Sequence, residues 1–409
     1  MPQIDVNPAD AHATAKQILM VTLIVTLISV AGIALPYPVL APLFAENSSP
    51  LTQFLVLPSE LLLGIVLGIY PLGIIIGSSM IGALSDHHGR KRLLTFTLLG
   101  SAIGYMLTAI AALSEHFILF CLARLLTGFC EGNIAIARAI AADLHPVLDK
   151  TRSFSLISAM GYGGYLIGPL AGGYLLYMGI DMVFWSAAIA CLLCAGLSHQ
   201  LLPSSLNKPV EHAEQGSSLR LLQDPALKRF FLLYLLLTMG VNLYYEFYPL
   251  YLVRAFDFTA TDISWITVLL TASMIATSVW FNPIIQRRLS HANASLLGIA
   301  IFILSLMSFP FISHSAYLFT FMTIGAGIAI YNGFLPSYLS TAYQHRAQGQ
   351  LMGMLVTIFC VGNLLAALIG GVLSIFDVKV ALLFGALSAL GAALLFYRGH
   401  YQQAQWQQT

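Results

Sequence analysis

Long apolar runs alternate with short polar ones along almost the whole chain. A helix that crosses the hydrocarbon core of a bilayer needs about 20 apolar residues. Twelve stretches meet that length, at roughly 17–44, 59–83, 92–113, 117–142, 153–178, 181–202, 229–254, 262–286, 294–313, 315–343, 348–374 and 379–398. The longest polar interval runs from Pro203 to Pro225 and separates six stretches from six. The pattern therefore predicts a tail over 1–16, a six-helix bundle over 17–202, a linker over 203–228, a second six-helix bundle over 229–398 and a tail over 399–409. An even number of crossings puts both termini on one side of the membrane.

The two halves repeat. The fifth stretch reads Gly164-x-x-x-Gly168-Pro169-Leu170-Ala171-Gly172-Gly173, and the eleventh reads Gly362-x-x-x-Ala366-Ala367-Leu368-Ile369-Gly370-Gly371. The offset is 198 residues throughout. Duplicated halves with a site near the midplane between them are a transporter design. The fold class expected is an all-α membrane protein of twelve transmembrane helices in two pseudo-symmetric bundles.

Charge fixes the orientation. With the termini in the cytoplasm, fourteen of the eighteen Lys and Arg residues fall on the cytoplasmic side; two (Arg254, Lys379) fall outside and two (Arg124, Arg138) within a helix. Positive residues stay inside, so both termini are expected to be cytoplasmic. The first 15 residues lack the basic n-region and cleavage site of a signal peptide, so the first apolar run is expected to be retained.

Composition supports the same class. Hydrophobic residues make up 58% of the chain and charged ones 9%, against roughly 25% charged in soluble domains. A net charge of +1 without a basic tract argues against nucleic-acid binding. The five cysteines all lie in apolar runs, and Cys191-x-x-Cys194 reads as helix packing rather than a redox or metal site. No cofactor or metal is expected.

Four groups of residues carry candidate chemistry. The charged stretch Gly82-Ala83-Leu84-Ser85-Asp86-His87-His88-Gly89-Arg90-Lys91-Arg92 spaces Gly82, Asp86 and Arg90 at four, one face of a helix end. In the fourth stretch Arg124, Glu131 and Arg138 are spaced at seven, close to one face of a straight helix. Charges at that depth are costly and mark a pathway or a proton relay, or else a buried structural ion pair. In the fifth stretch the small residues allow close helix packing, and Pro169 kinks or loosens the helix. In the seventh, Asn242, Tyr245 and Glu246 share a face with Thr238. Glu246 lies roughly 24 Å up that helix, a depth that suits a substrate contact, an outer gate or an aromatic belt. Tyr37, Tyr162, Tyr165, Asn332 and Asn363 are further residues that could line a cavity.

These motifs carry a resemblance. The pattern G-x-L-x-D-x-x-G-R-K at Gly82 to Lys91 resembles the loop between the second and third helices of major facilitator superfamily transporters. Arg124-x-x-x-Gly128 is similar to the fourth-helix element of their proton-coupled members. Gly164-x-x-x-Gly168-Pro169-x-x-Gly172-Gly173 matches the motif of the twelve-helix drug/proton antiporter branch at each fixed position, and Leu35-Pro36-Tyr37-Pro38 resembles the end of that branch's first helix. Tetracycline-resistance and multidrug efflux proteins belong to this branch. The resemblance spans about residues 17–398.

It implies a secondary transporter, not an enzyme, that couples proton entry to export of a small amphiphilic compound across an inner membrane as a monomer. It assigns Asp86, Arg90 and Asp143 to an inner gate with Gly82, the glycine-proline motif to a hinge, and Arg124 to proton transfer. Two departures stand out: His87 occupies a place where the family has arginine, and the first helix carries no acid. Glu131 is then the leading proton carrier. Import of a nutrient, metabolite or siderophore on the same fold is the alternative, and a membrane-embedded enzyme or receptor a remoter one.

Overall fold

The computed structural model describes residues 8–46, 49–131, 133–144, 147–148, 150–207, 223–311, 316–343 and 348–406. Most of the expected linker, 208–222, lies outside them. The described residues form fifteen α-helices and no strand. They are α1 (Pro8–Ala34), α2 (Tyr37–Glu46), α3 (Ser59–His88), α4 (Arg90–Leu113), α5 (Phe117–Cys130), α6 (Asn133–Asp143), α7 (Lys150–Leu175) and α8 (Ile180–Leu201). The rest are α9 (Pro225–Phe256), α10 (Ala260–Ala276), α11 (Asn282–Gln286), α12 (His291–Ser308), α13 (Tyr317–Ala342), α14 (Gln348–Phe376) and α15 (Val378–Trp406). Ten helical stretches among the described residues are long and apolar enough to cross a membrane. In lipid only a helix or a closed barrel satisfies every backbone polar group, so this architecture follows from the apolar runs.

Three expected spans are each made of more than one helix. The first breaks at Leu35-Pro36, between α1 and α2. Pro36 has no N–H to continue the ladder, and its ring disfavours helical geometry at the residue before it. The eighth passes through a π-helical turn at Thr277–Phe281 before α11. Pro283 follows at once, and its missing N–H suits a local change of hydrogen-bond register.

The third break corrects the expectation of one straight helix over 117–142. α5 ends at Cys130, and Glu131 leaves the helix with φ −84° and ψ 58°, its N–H bonded to the Gly128 carbonyl at 3.1 Å. The local sequence Gly128-Phe129-Cys130-Glu131-Gly132-Asn133 is rich in poor helix formers. The argument that a spacing of seven aligns Arg124, Glu131 and Arg138 on one continuous face therefore does not hold.

The chain divides into two compact units: 1–39 with 72–213, and 40–71 with 214–409. In the first unit α1 packs on α7 and α8, and α4 on α8 and α5. In the second, α9 packs on α14 and α15, and α12 on α15 and α13. These pairings are equivalent in the two halves, as the 198-residue repeat requires. The core of the first unit is aliphatic, with Ile18, Val21, Val25, Leu94, Leu98, Ile136 and Ile140, and Cys194 sits within it. The second unit holds a ring-against-ring stack of Tyr244, Tyr248, Phe309 and Phe321.

Candidate functional site

The first unit holds a polar cluster around the broken fourth span. Because the helix stops at Cys130, the side chain of Glu131 comes from a non-helical residue between α5 and α6. The Tyr105 hydroxyl on α4 donates to Glu131 Oε1 at 2.7 Å. Tyr105 is fully buried. Arg124, 5% exposed, lies two turns before the break on α5, within electrostatic range of Tyr105 and Tyr37. The Tyr37 ring meets the Tyr165 ring of α7 at 6.3 Å between centroids. A second chain of bonds lies close by in sequence: Thr97 Oγ1 donates to Asn133 Oδ1 at 2.7 Å, and Asn133 Nδ2 to Ser29 Oγ at 3.2 Å. α1, α4 and the start of α6 are thus tied together by hydroxyl and amide groups.

Of the residues singled out by sequence, Arg124, Glu131, Tyr37 and Tyr165 come together here. Arg138, beyond the break, is exposed and interacts with Tyr162 instead. Tyr105 was missed. Nothing in an apolar span marks a lone tyrosine, and only the fold brings its hydroxyl to Glu131.

The charged stretch after the second span behaves differently from a loop. α3 continues through His88, and the turn shrinks to Gly89. Gly89 has φ 88° and ψ 147°, a conformation that side chains strongly disfavour. This explains the second glycine of the motif. Arg90 then opens α4 and forms an ion pair with Asp143 at the end of α6, Nε to Oδ2 3.2 Å. Lys91 donates to the Leu202 carbonyl at the end of α8, at 2.5 Å. The side chains of Gly82 to His87, Asp86 among them, lie outside the described residues.

The glycine motif of α7 is a close contact with α1. A Cβ on Gly164 would lie 2.7 Å from the Val30 Cβ, and one on Gly168 would lie 2.5 Å from the Ala31 carbonyl oxygen. One on Gly172 would collide with the Leu35 carbonyl. Pro169 sits within this helix. Backbones approach this closely only when the side chain is absent.

The second unit has its own polar face on α9. Asn363 Nδ2 of α14 donates to Asn242 Oδ1 at 3.1 Å. Tyr245 reaches Met274, and Tyr248 shares a short hydrogen bond with Thr267 on α10. Glu246 is 4% exposed, and neither carboxylate oxygen has a hydrogen-bond partner. Asn332 is exposed. Arg254, near the end of α9, forms an ion pair with Glu60 in the first turn of α3. Sequence alone had separated these two charges by nearly two hundred residues. No cluster of three metal-ligating groups occurs among the described residues.

Comparison with known proteins settles the family. The chain matches the Major Facilitator Superfamily over residues 22–367, and again over 230–408. The chain belongs to the Major Facilitator Superfamily.

Among curated relatives, it is 23% identical to a tetracycline resistance protein, class H, of Pasteurella multocida, covering 94% of this chain and 96% of that one. It is 26% identical to multidrug resistance protein 1 of Bacillus subtilis, over 78% and 82% of the two chains. In fold it resembles a nucleoside transporter at TM-score 0.74 and 14% identity, covering 93% of this chain and 99% of the other. It also resembles a bacterial homolog of a human lysosomal transporter, Spinster, at TM-score 0.70 and 13% identity, over 94% and 95%. This superfamily member is a multi-pass membrane transporter of small molecules, not an enzyme.

Proposed function

We propose that this transporter is a proton-coupled antiporter that exports a small amphiphilic compound by alternating access. It would act as a monomer in the inner membrane, with both termini cytoplasmic. Glu131 is the proton carrier. The observation that carries this reading is the Tyr105–Glu131 hydrogen bond at a break in the fourth span, with Arg124 nearby. A carboxyl that accepts from a tyrosine hydroxyl at a break in the helix can exchange its proton with modest rearrangement, and Arg124 tunes it from the α5 side of the break. Intramembrane acids serve such relays.

Arg90, Asp143 and Asp86, with Gly82, act as the inner gate, and the Arg90–Asp143 pair supports this role. The Gly164, Gly168, Pro169, Gly172 and Gly173 surface is the hinge on which α7 moves against α1. Tyr37, Tyr162, Tyr165, Asn242, Tyr245, Glu246, Asn332 and Asn363 are the candidates for contact with the substrate. Export is supported by the relatives whose names record drug resistance.

The test uses everted and right-side-out vesicles. A pH gradient, acid inside, should drive accumulation of a fluorescent amphiphile into everted vesicles. Substrate addition to detergent-solubilised protein should release protons, and E131Q should not. Unchanged proton release by E131Q removes Glu131 from this role. Gradient-independent behaviour in everted vesicles together with nutrient uptake in right-side-out ones would make the protein an importer.

A further inference from the structure

We propose that Glu246 is a second proton site: it holds a proton while the outer half of α3 is closed against α9 and α14, and releases it when they part. The word "outer" rests on the topology proposed above. Residues 40–71, which include this half of α3, belong to the same compact unit as α9 and α14.

Consider what surrounds the residue. Glu246 is 4% exposed, and both its oxygens are without partners. One turn earlier on the same face, Asn242 accepts from Asn363 of α14 at 3.1 Å. Two turns later, Arg254 is paired with Glu60 of α3. Glu246 lies between these two tethers. Its neighbour Phe247 fills the space over Gly370. α3 and α14 meet backbone to backbone: a Cβ on Gly64 would lie 2.5 Å from the Ala367 carbonyl oxygen and 2.8 Å from the Gly371 Cα. A Cβ on Gly371 would lie 3.0 Å from the Gly64 Cα.

The charged and histidine groups on elements packed against α9 are few. They are Glu60, Asp86, His87 and His88 on α3, Asp262 on α10, His291 on α12, and Lys379, Arg398 and His400 on α15, with Lys228, Arg229 and Arg254 on α9 itself. All lie toward helix ends, and α14 carries none. Tyr244, Tyr245 and Tyr248 point their rings toward one another and toward α10, α12 and α13. Among the described residues no cation forms an ion pair with Glu246.

A carboxylate buried without a partner is so unfavourable that the group takes up a proton instead. The closed arrangement therefore contains the neutral acid. Separation of α3 from α14 would admit water to this face and let the carboxylate form. Because Gly64 and Gly371 meet backbone to backbone, and α3 offers only Gly68 to the Leu364 and Leu368 side chains of α14, a small displacement opens the contact. Closing the outer end then requires one proton on Glu246, taken from the outer side.

Hydrogen–deuterium exchange of the full-length protein, without substrate or gradient, tests the proposal. Protection of 59–71 and 364–376, corrected for the intrinsic pH dependence of exchange, is followed as pH rises. In the wild type, protection should fall by up to about tenfold per pH unit, the slope of a single linked proton. E246Q, which copies the shape of the neutral acid, should stay protected across the range, and E246L should do the same. A flat wild-type profile overturns the proposal, with or without a folded variant; so does an undiminished slope in E246Q or E246L. Because no drug or gradient is present, this outcome is independent of the export reading, which E131Q tests.

Discussion

The two intramembrane acids, Glu131 and Glu246, sit in opposite circumstances. Glu131 stands at a break in the backbone, partly buried, with a tyrosine hydroxyl 2.7 Å away and an arginine nearby. Glu246 sits inside an unbroken helix of thirty-two residues, 4% exposed and without a partner. Lipid-spanning chains tolerate irregular backbone only where protein or water covers it. A break beside an acid therefore marks a place built for polar traffic, whereas an acid in a continuous, closely packed helix is isolated until the packing changes. On the proposed reading, the same residue type serves exchange in one unit and sensing of closure in the other.

The sharpest way to break this contrast is E131Q. If Glu131 carries the proton, its loss should reduce gradient-driven transport by about 100-fold or more, the scale of a positioned proton-transfer group, measured as initial accumulation in everted vesicles. Y105F keeps the ring and removes only the donor to Glu131. A hydrogen bond to a charged group contributes about 1.5 kcal/mol or more, so transport should fall roughly tenfold while thermal stability changes little. A larger stability loss than transport loss would recast Tyr105 as a packing residue.

The repeated glycine surfaces give a finer comparison. Gly172 faces the Leu35 backbone carbonyl, whereas its repeat mate Gly370 faces the Phe247 ring. A side chain can swing aside and a backbone cannot. G172A should therefore lower stability by about 1–3 kcal/mol, and G370A by less, read as thermal unfolding in detergent. Equal losses would remove the distinction. The smallest effect belongs to the Arg90–Asp143 pair, whose Asp143 is 35% exposed. D143N should cost below about 1 kcal/mol of stability yet shift accessibility of the inner mouth to a soluble thiol reagent. An unchanged labelling rate would leave the pair structural.

Much of this was legible without coordinates. Apolar run lengths gave the spans because hydrocarbon imposes one rule on every crossing segment. The 198-residue offset announced the repeat, and the paired helices α1–α7 and α9–α14 bear it out. Gly89 was readable as part of a motif, but its reason, a backbone at φ 88°, was not. The α5–α6 break was missed because a spacing of seven looks helical whether or not the helix continues. Pro36, in contrast, signals its break in the sequence itself.

What the sequence by itself determined is the solvent, the number and order of crossings, and the duplicated plan. These depend on local composition and short spacings, which the chain carries wherever it folds. What only the tertiary structure decided is which polar groups meet: Tyr105 with Glu131, Arg90 with Asp143, Arg254 with Glu60, and Glu246 with no partner at all. The three pairs depend on atoms from segments distant in sequence being brought within about 3 Å, and helix packing alone sets that distance.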